Sequence, residues 1–314
     1  MAKMFEWKPA EKNTIYFIGV TTGNSSIMNV FPKWAEELDL QDTQIIGIDL
    51  PLHAPNEDYR KVCNFLKKDK LSLGALVTTH KLDLFEAAED IFDEIDEYAK
   101  LLKEVSSISK KDGKFIAHAK DPISSGLALE KFLPSNFFTD HRGEVLIFGA
   151  GGSSLAMSVY FGSEKRKSDI PKTITIANRS VKRLESAEKT LKNLEKKIKM
   201  RYVHNPEFKD NDKTLEKLPP YSLIINATGL GKDAPGSPIT DNAIFPENSL
   251  VWEINYRGDL LFRDQAERQK NIRKLHIEDG WTYFIHGWTQ VISEVFHIPI
   301  EGEILDQLSK IARK

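Results

Sequence analysis

Along this chain, apolar runs of strand length alternate with segments of helical periodicity. "TIYFIG" (14–19), "QIIGIDL" (44–50) and "GALVTT" (74–79) are short apolar stretches, and between them the apolar positions recur at helical spacing. Buried strands alternating with amphipathic helices predict parallel strands joined by crossover helices. Lys111-Asp112-Gly113, between "EVSSIS" and "KFIAHA", interrupts the rhythm and predicts a short hairpin that delivers the chain to Asp121, just beyond a strand end.

A helix near 124–133 leads into "LPSNFFTDHRG", a loop with the character of a hinge between domains. A second series follows: "EVLIFGAGG" (144–152), "TITIANRS" (173–180), "MRYVHN" (200–205), "SLIINATG" (222–229) and "SLVWEINY" (249–256). Five such runs with helices between them predict a doubly wound sheet. The helix after "ANRS" carries one apolar stripe, Val181, Leu184, Ala187, Leu191, Leu194 and Ile198, with lysines and glutamates elsewhere. The polar insert 162–172 reads as an exposed loop, and two helices, 283–297 and 301–313, close the chain. The fold class is therefore α/β with two domains, residues 1–130 with 283–314 forming one and residues 131–282 the other.

Composition narrows the function without choosing it. At 314 residues the chain exceeds one ordinary core, and a net charge of -2 supplies no field for nucleic acid or anionic membrane. The single cysteine, Cys63, lies among Tyr59, Val62, Phe65 and Leu66 at helical spacing, so a half-buried, inert thiol is expected and no intrachain disulfide is possible. The start of the chain has no apolar h-region and no stretch approaches bilayer length, which makes a soluble, cytoplasmic protein the expectation. The histidines are scattered, without the paired helical spacing of a metal site. A small molecule is the expected partner, and the chain a monomer or homodimer.

Chemistry enters at "VLIFGAGGSSLAMSVYF", a buried strand, a Gly149-Ala150-Gly151-Gly152 turn and an apolar helix. Glycines there permit a tight turn and let backbone N–H groups approach a pyrophosphate at the helix start. Ser154 replaces the third glycine of the G-x-G-x-x-G pattern, and the turn alone is equally a plain strand-to-helix connection. The next strand ends in Asn178-Arg179-Ser180, where an NAD-binding chain would carry an acid for the ribose 2′-hydroxyl. Arg179 can clamp a 2′-phosphate and stack on adenine, and Ser180 can donate to it, which favours NADP over NAD. Ser180 is also a natural N-cap, and the two roles are compatible.

The order of motifs resembles the shikimate dehydrogenase family over nearly the whole chain. Its V-T-x-P-H-K pattern corresponds to Val77-Thr78-Thr79-His80-Lys81, one residue shorter and without the proline; of its N-T-D-G-x-G, Ala119-Lys120-Asp121 keeps the aspartate. Its G-A-G-G, N-R-T and N-A-T-x-x-G patterns correspond to Gly149–Gly152, Asn178-Arg179-Ser180 and Asn226-Ala227-Thr228 through Gly231, and "VWEINYRG" resembles V-x-D-x-x-Y-x-P with Glu253 as the acid. The resemblance implies an NADP-dependent alcohol dehydrogenase acting on shikimate, quinate or a related cyclic hydroxy acid. Lys81 and Asp121 would serve the reacting hydroxyl, where negative charge develops on oxygen. Burial would lower the lysine pKa from ~10.4 and a nearby carboxylate would raise it. Cofactor contacts are implied along the glycine turn, at Asn178, Arg179 and Ser180, and at Thr228 and Gly229.

The substrate side departs further from the pattern. Ser25 and Ser26 stand adjacent where the family has S-x-S, Ser106 stands where an asparagine contacts ring hydroxyls, and His286 or Gly287 where a glutamine is usual, with Gln290 one helical turn beyond. Ser25, Ser26, Thr78, Ser106, Tyr256 and Gln290 are the substrate contacts the resemblance implies. Two other readings compete: a non-catalytic sensor of NADP and a metabolite, and a dehydrogenase of a folate-like or pterin-like carrier.

Overall fold

The computed structural model describes residues 7–40, 42–232 and 234–313. From the amino end the chain forms β1 (Asn13–Gly19), α1 (Ile27–Glu37), β2 (Thr43–Asp49), α2 (Asn56–Lys68), β3 (Ser72–Val77), α3 (Lys81–Ala88), β4 (Glu94–Ile95), α4 (Glu97–Leu102), β5 (Ser107–Lys111) and β6 (Lys114–His118). Next come α5 (Asp121–Leu129), α6 (Phe137–His141), β7 (Val145–Phe148), α7 (Gly152–Phe161), β8 (Thr173–Asn178), α8 (Val181–Leu191), β9 (Lys199–His204), α9 (Phe208–Glu216) and β10 (Leu223–Asn226). The chain ends with β11 (Leu250–Glu253), α10 (Leu261–Glu267), α11 (Lys270–Arg273), β12 (His276–Glu278), α12 (Trp281–Phe296) and α13 (Gly302–Ala312).

Contacts divide it into two compact units, Met1–Lys120 with Gly287–Lys314, and Asp121–His286. The first holds a six-stranded sheet ordered β2-β1-β3-β5-β6-β4. Its β1, β2 and β3 are parallel, and the expected hairpin β5–β6 runs antiparallel beside them. Asp112 and Gly113 make the hairpin turn with φ of 50° and 76°, the left-handed pair that a two-residue loop between twisted strands requires. Trp34 is fully buried and its indole N–H donates to the Leu308 carbonyl at 2.8 Å, tying α1 to α13. Cys63 is fully rather than half buried, and burial pushes its thiol up to about 12, so it is inert at neutral pH.

The second unit is a wholly parallel sheet ordered β12-β11-β10-β7-β8-β9. Counted from β7 this is the 3-2-1-4-5-6 order of a doubly wound dinucleotide fold, whose switch point lies between β7 and β10. Leu146, Phe148, Ile224, Val251, Phe245 and Phe262 form part of its core. The short strands β4 and β12 carry too few residues to leave a periodic signal.

Helix α5 begins at Asp121 rather than near 124, with Pro122 pre-set for its first turn, and it belongs by contacts to the second unit. The reason is packing: a Cβ added at Gly126 would lie 2.3 Å from the Tyr160 ring, so only glycine lets α5 approach α7 this closely. The 162–172 insert is more than an exposed loop. Asp169 is buried, accepts the N–H groups of Phe138 (2.9 Å) and Thr139 (3.1 Å), and pairs with Arg166 at 2.5 Å, which anchors the start of α6.

Candidate active-site residues in the two units

In the first unit, polar side chains gather beyond the carboxyl ends of β1, β2 and β3. The backbone N–H and hydroxyl of Thr22 both donate to Asp49 Oδ1, at 2.8 and 2.6 Å, fastening the segment after β1 to the end of β2. Ser25 is extended (φ -78°, ψ 135°), whereas Ser26 is already helical (φ -56°, ψ -28°) at the head of α1, which its side chain does not cap. The two adjacent serines thus occupy different backbone states.

Strand β3 stops at Val77, so Lys81 does not end a strand; it is the half-buried first residue of α3. Between them the Thr78 N–H donates to the Ile18 carbonyl at 3.0 Å, and Thr79 adopts φ +59°. A β-branched residue in the left-handed region is strained, by on the order of 1–3 kcal/mol, and such strain collects at functional sites. His80 is buried, with Nδ1 3.0 Å from the Tyr59 hydroxyl and Nε2 3.2 Å from the Leu50 carbonyl. Burial holds its imidazole below the ordinary range, so it acts as a neutral strut behind Lys81.

Beyond β6 lies a network that the motif comparison missed. His118 sits 3.4 Å from Asp96 and 3.5 Å from Glu294, with Ser109 Oγ 2.9 Å from its Nε2, and the Lys120 ammonium pairs with Glu294. Burial works to raise Asp96 and Glu294, but His118 beside the first, and Lys120 and His118 beside the second, hold both below the usual carboxylate range. Ser106 is buried; its Oγ accepts the Lys120 N–H at 2.7 Å and lies 3.5 Å from the His118 carbonyl. That hydroxyl is engaged inside the unit. The available signal was Glu294 itself, the one acid in α12, one turn from Gln290. Gln290 is half-buried on that helix.

In the second unit, Gly149 follows β7 with φ +105°, and a Cβ there would lie 2.6 Å from the Ala227 carbonyl oxygen. Only glycine permits both the left-handed turn and this approach of the β7 loop to the β10 loop. Ala150 continues the turn, Gly151 stands before open space, and α7 opens at Gly152 with no side chain capping its first amides. Ser154, in place of the third glycine, is fully buried and donates from Oγ to the Gly149 carbonyl at 2.7 Å, which stabilises the turn. At the end of β8, Asn178 Oδ1 accepts the Arg179 N–H at 3.0 Å, the Arg179 side chain is exposed, and Ser180 caps α8 by accepting the Arg183 N–H at 3.4 Å. Next to β8, at the end of β9, His204 Nε2 lies 3.2 Å from the Arg179 carbonyl.

Beyond β10, Thr228 donates from Oγ1 (2.6 Å) and N–H (3.1 Å) to Asn226 Oδ1, and Gly229 is exposed. Glu253 is fully buried at the end of β11, and burial pushes its carboxyl up to about 7. Tyr256 stacks on Phe284 with ring centroids 4.1 Å apart, and its ring also lies beneath the Arg257 guanidinium. His286 is buried and pushed down to about 4, so it is neutral at pH 7. Lys81 belongs to the first unit and Asp121, half-buried as the first residue of α5, to the second.

A wholly parallel sheet of this strand order, with a glycine turn at its switch point and a second α/β unit in the same chain, defines a two-domain protein with the doubly wound fold typical of dinucleotide-binding domains. No family model matches the chain. It is 27% identical over 243 residues, 77% of this chain and 79% of the relative, to a shikimate dehydrogenase (NADP(+)) from Nitrosopumilus maritimus. In fold it is similar to a quinate dehydrogenase from Corynebacterium glutamicum in complex with NAD, with a TM-score of 0.75 and 17% identity over 96% of this chain and 98% of that one. A shikimate 5-dehydrogenase from Listeria monocytogenes in complex with shikimate and NAD gives a TM-score of 0.72 and 17% identity over 98% and 99%. At this level the chain is similar to shikimate dehydrogenases in sequence and shares their fold.

Among the described residues no helix is long and apolar enough to cross a membrane, and no group of His, Cys, Asp and Glu could hold a metal ion.

Proposed function

We propose that this chain is an NADP-dependent oxidoreductase, moving a hydride reversibly between NADP and shikimate or a related cyclic hydroxy acid such as quinate. One coincidence carries the reading: the sequence likeness to a shikimate dehydrogenase (NADP(+)) runs through a chain whose β7 and β10 loops meet at Gly149 and Ala227. The cradle suits a dinucleotide, since a side chain at Gly149 would close it, Gly151 faces open space and the first amides of α7 carry no cap. Gly149, Ala150, Gly151 and Gly152 would take the pyrophosphate, Arg179 and Ser180 the 2′-phosphate beside Asn178, and Thr228 with Gly229 the far end. When bound, NADP supplies the hydride acceptor or donor.

The protein's own part is the proton and the developing charge. In oxidation the neutral Lys81 amine takes the proton of the reacting hydroxyl, and in reduction the Lys81 ammonium stabilises the developing charge on oxygen and returns that proton. Asp121 holds a substrate hydroxyl and orients the lysine. His80, wedged between Tyr59 and Leu50, fixes the backbone from which Lys81 projects. Thr78, Ser25, Ser26, Tyr256 and Gln290 complete the proposed substrate contacts, with Ser106 acting through the Lys120 backbone.

The test is absorbance at the nicotinamide band with NADP+ or NAD+, against shikimate, quinate and a panel of cyclic and acyclic hydroxy acids. Reduction of NADP+ by a cyclic hydroxy acid is the expected result. Silence across the panel with NADPH still bound would replace this reading with the sensor; activity on a methylene carrier alone would replace it with the carrier dehydrogenase.

A further inference from the structure

Glu253 is a fully buried carboxylate at the switch-point end of the parallel sheet, on β11, directly opposite Asn226 on β10. Both its oxygens accept hydrogen bonds: Oε2 from Asn226 Nδ2 at 2.6 Å, and Oε1 from the Asn255 N–H at 2.8 Å. The two asparagines in turn hold the 228–230 turn. Asn226 Oδ1 accepts the Thr228 N–H and hydroxyl, Thr228 Oγ1 accepts the Leu230 N–H at 3.2 Å, and Asn255 Nδ2 donates to the carbonyls of Thr228 and Leu230, each at 3.2 Å.

Both donors in this network point at the carboxyl oxygens. A proton on Oε2 would face the Asn226 amide donor, and flipping that amide would turn its donors toward the Thr228 N–H. A proton on Oε1 would face the Asn255 N–H, which is backbone and cannot flip. The network therefore favours the ionised carboxylate, which accepts both donors as charge-assisted hydrogen bonds, while burial penalises it. Among the described residues, Arg263 of α10 is the charged group acting on Glu253, and it is shared with Asp264 at 3.6 Å. Neighbouring β12 ends in Glu278, itself engaged by His276 at 2.8 Å.

We infer that Glu253, in its ionised form, is a positioning residue that holds the 228–230 turn in the shape that receives the dinucleotide, so that protonating this one carboxyl loosens the grip. The inference rests on the dinucleotide reading above, because the turn abuts the glycine cradle: a Cβ on Gly149 would lie 3.3 Å from the Thr228 amide nitrogen. Burial sets the transition near neutrality, about 7.

The experiment is amide hydrogen exchange on the protein without cofactor, as protection factors across a pH series, paired with NADPH fluorescence titrations at the same pH values. Protection at Thr228, Leu230 and Asn255 is expected to fall several-fold as pH drops through neutrality, with NADPH affinity falling in parallel. In Glu253→Gln, nearly isosteric but unable to ionise, protection should be low at every pH and this component of the NADPH profile absent. A purely structural role would lower protection without removing the pH dependence.

Equal protection at all pH values in the native chain, with NADPH bound normally, would overturn the inference alone. Absence of NADPH binding at every pH would overturn the dinucleotide reading and this inference with it. The native pH series needs no substitution, so it decides the matter even where the variant fails to fold.

Discussion

The loops of the proposed nucleotide unit and those of the proposed substrate unit are built from different materials. At Gly149 the requirement falls on the backbone: φ is +105° and the neighbouring carbonyl leaves no room for a Cβ. In the substrate unit the equivalent region is built from side chains, with Thr22 on Asp49, His80 between Tyr59 and Leu50, and Lys120 on Glu294. A backbone requirement has one solution in sequence, glycine, so the motif survives divergence. A side-chain contact has many, and the serines, the asparagine and the proline of the family pattern have all changed here while a packed polar network remains. Where one unit keeps its motif and the other keeps only its chemistry, the cofactor is more legible than the substrate.

Three substitutions would sharpen or break this comparison. Lys81→Ala should have the largest effect, lowering turnover by about 10²–10³-fold while NADPH binding stays intact, because a positioned charge at a developing oxyanion is worth that much. Stopped-flow and fluorescence titration separate the two, and unchanged turnover would remove Lys81 from the mechanism. Arg179→Ala should do the reverse. Loss of a charge-assisted contact to the 2′-phosphate is worth roughly 1.5–3 kcal/mol, or about 10–100-fold in NADPH affinity, with NADH binding unaltered. Equal weakening of both nucleotides would assign Arg179 to adenine stacking alone.

Glu294→Gln should act mainly on stability. Breaking the pair is expected to cost about 1–3 kcal/mol, less than the ~3–5 of a fully buried pair because Glu294 keeps 26% of its side chain exposed. Its carboxyl is held below its ordinary 4.5, so its stabilisation is present above that value and lost as pH falls through the lowered one. Urea midpoints against pH should therefore fall less steeply on the acid side in Glu294→Gln than in the native chain. Parallel curves would remove the Lys120–Glu294 pair from the stability of this unit.

Much of the architecture was legible because its causes are local. Alternating apolar runs announced both parallel series, Asp112-Gly113 announced the hairpin, and Ser180 announced a cap that it does provide. β4, with two residues, and β12, with three, lie below the length at which periodicity exists. Asp169 looked like one more charge in a polar insert, because its buried role depends on α6, some thirty residues earlier in the chain.

By itself, then, the sequence determined the class of fold, the glycine turn after β7 and the hairpin at Asp112-Gly113, all of which rest on residues close together in the chain. Only the tertiary structure decided that Ser106 is committed to the Lys120 backbone, that His118 is flanked by two carboxylates, and that Glu253 gathers Asn226 and Asn255 around the 228–230 turn. The physical reason is that each of these groups takes its charge state and hydrogen-bond partners from strands and helices brought beside it by folding, and burial there sets the cost of every proton it holds.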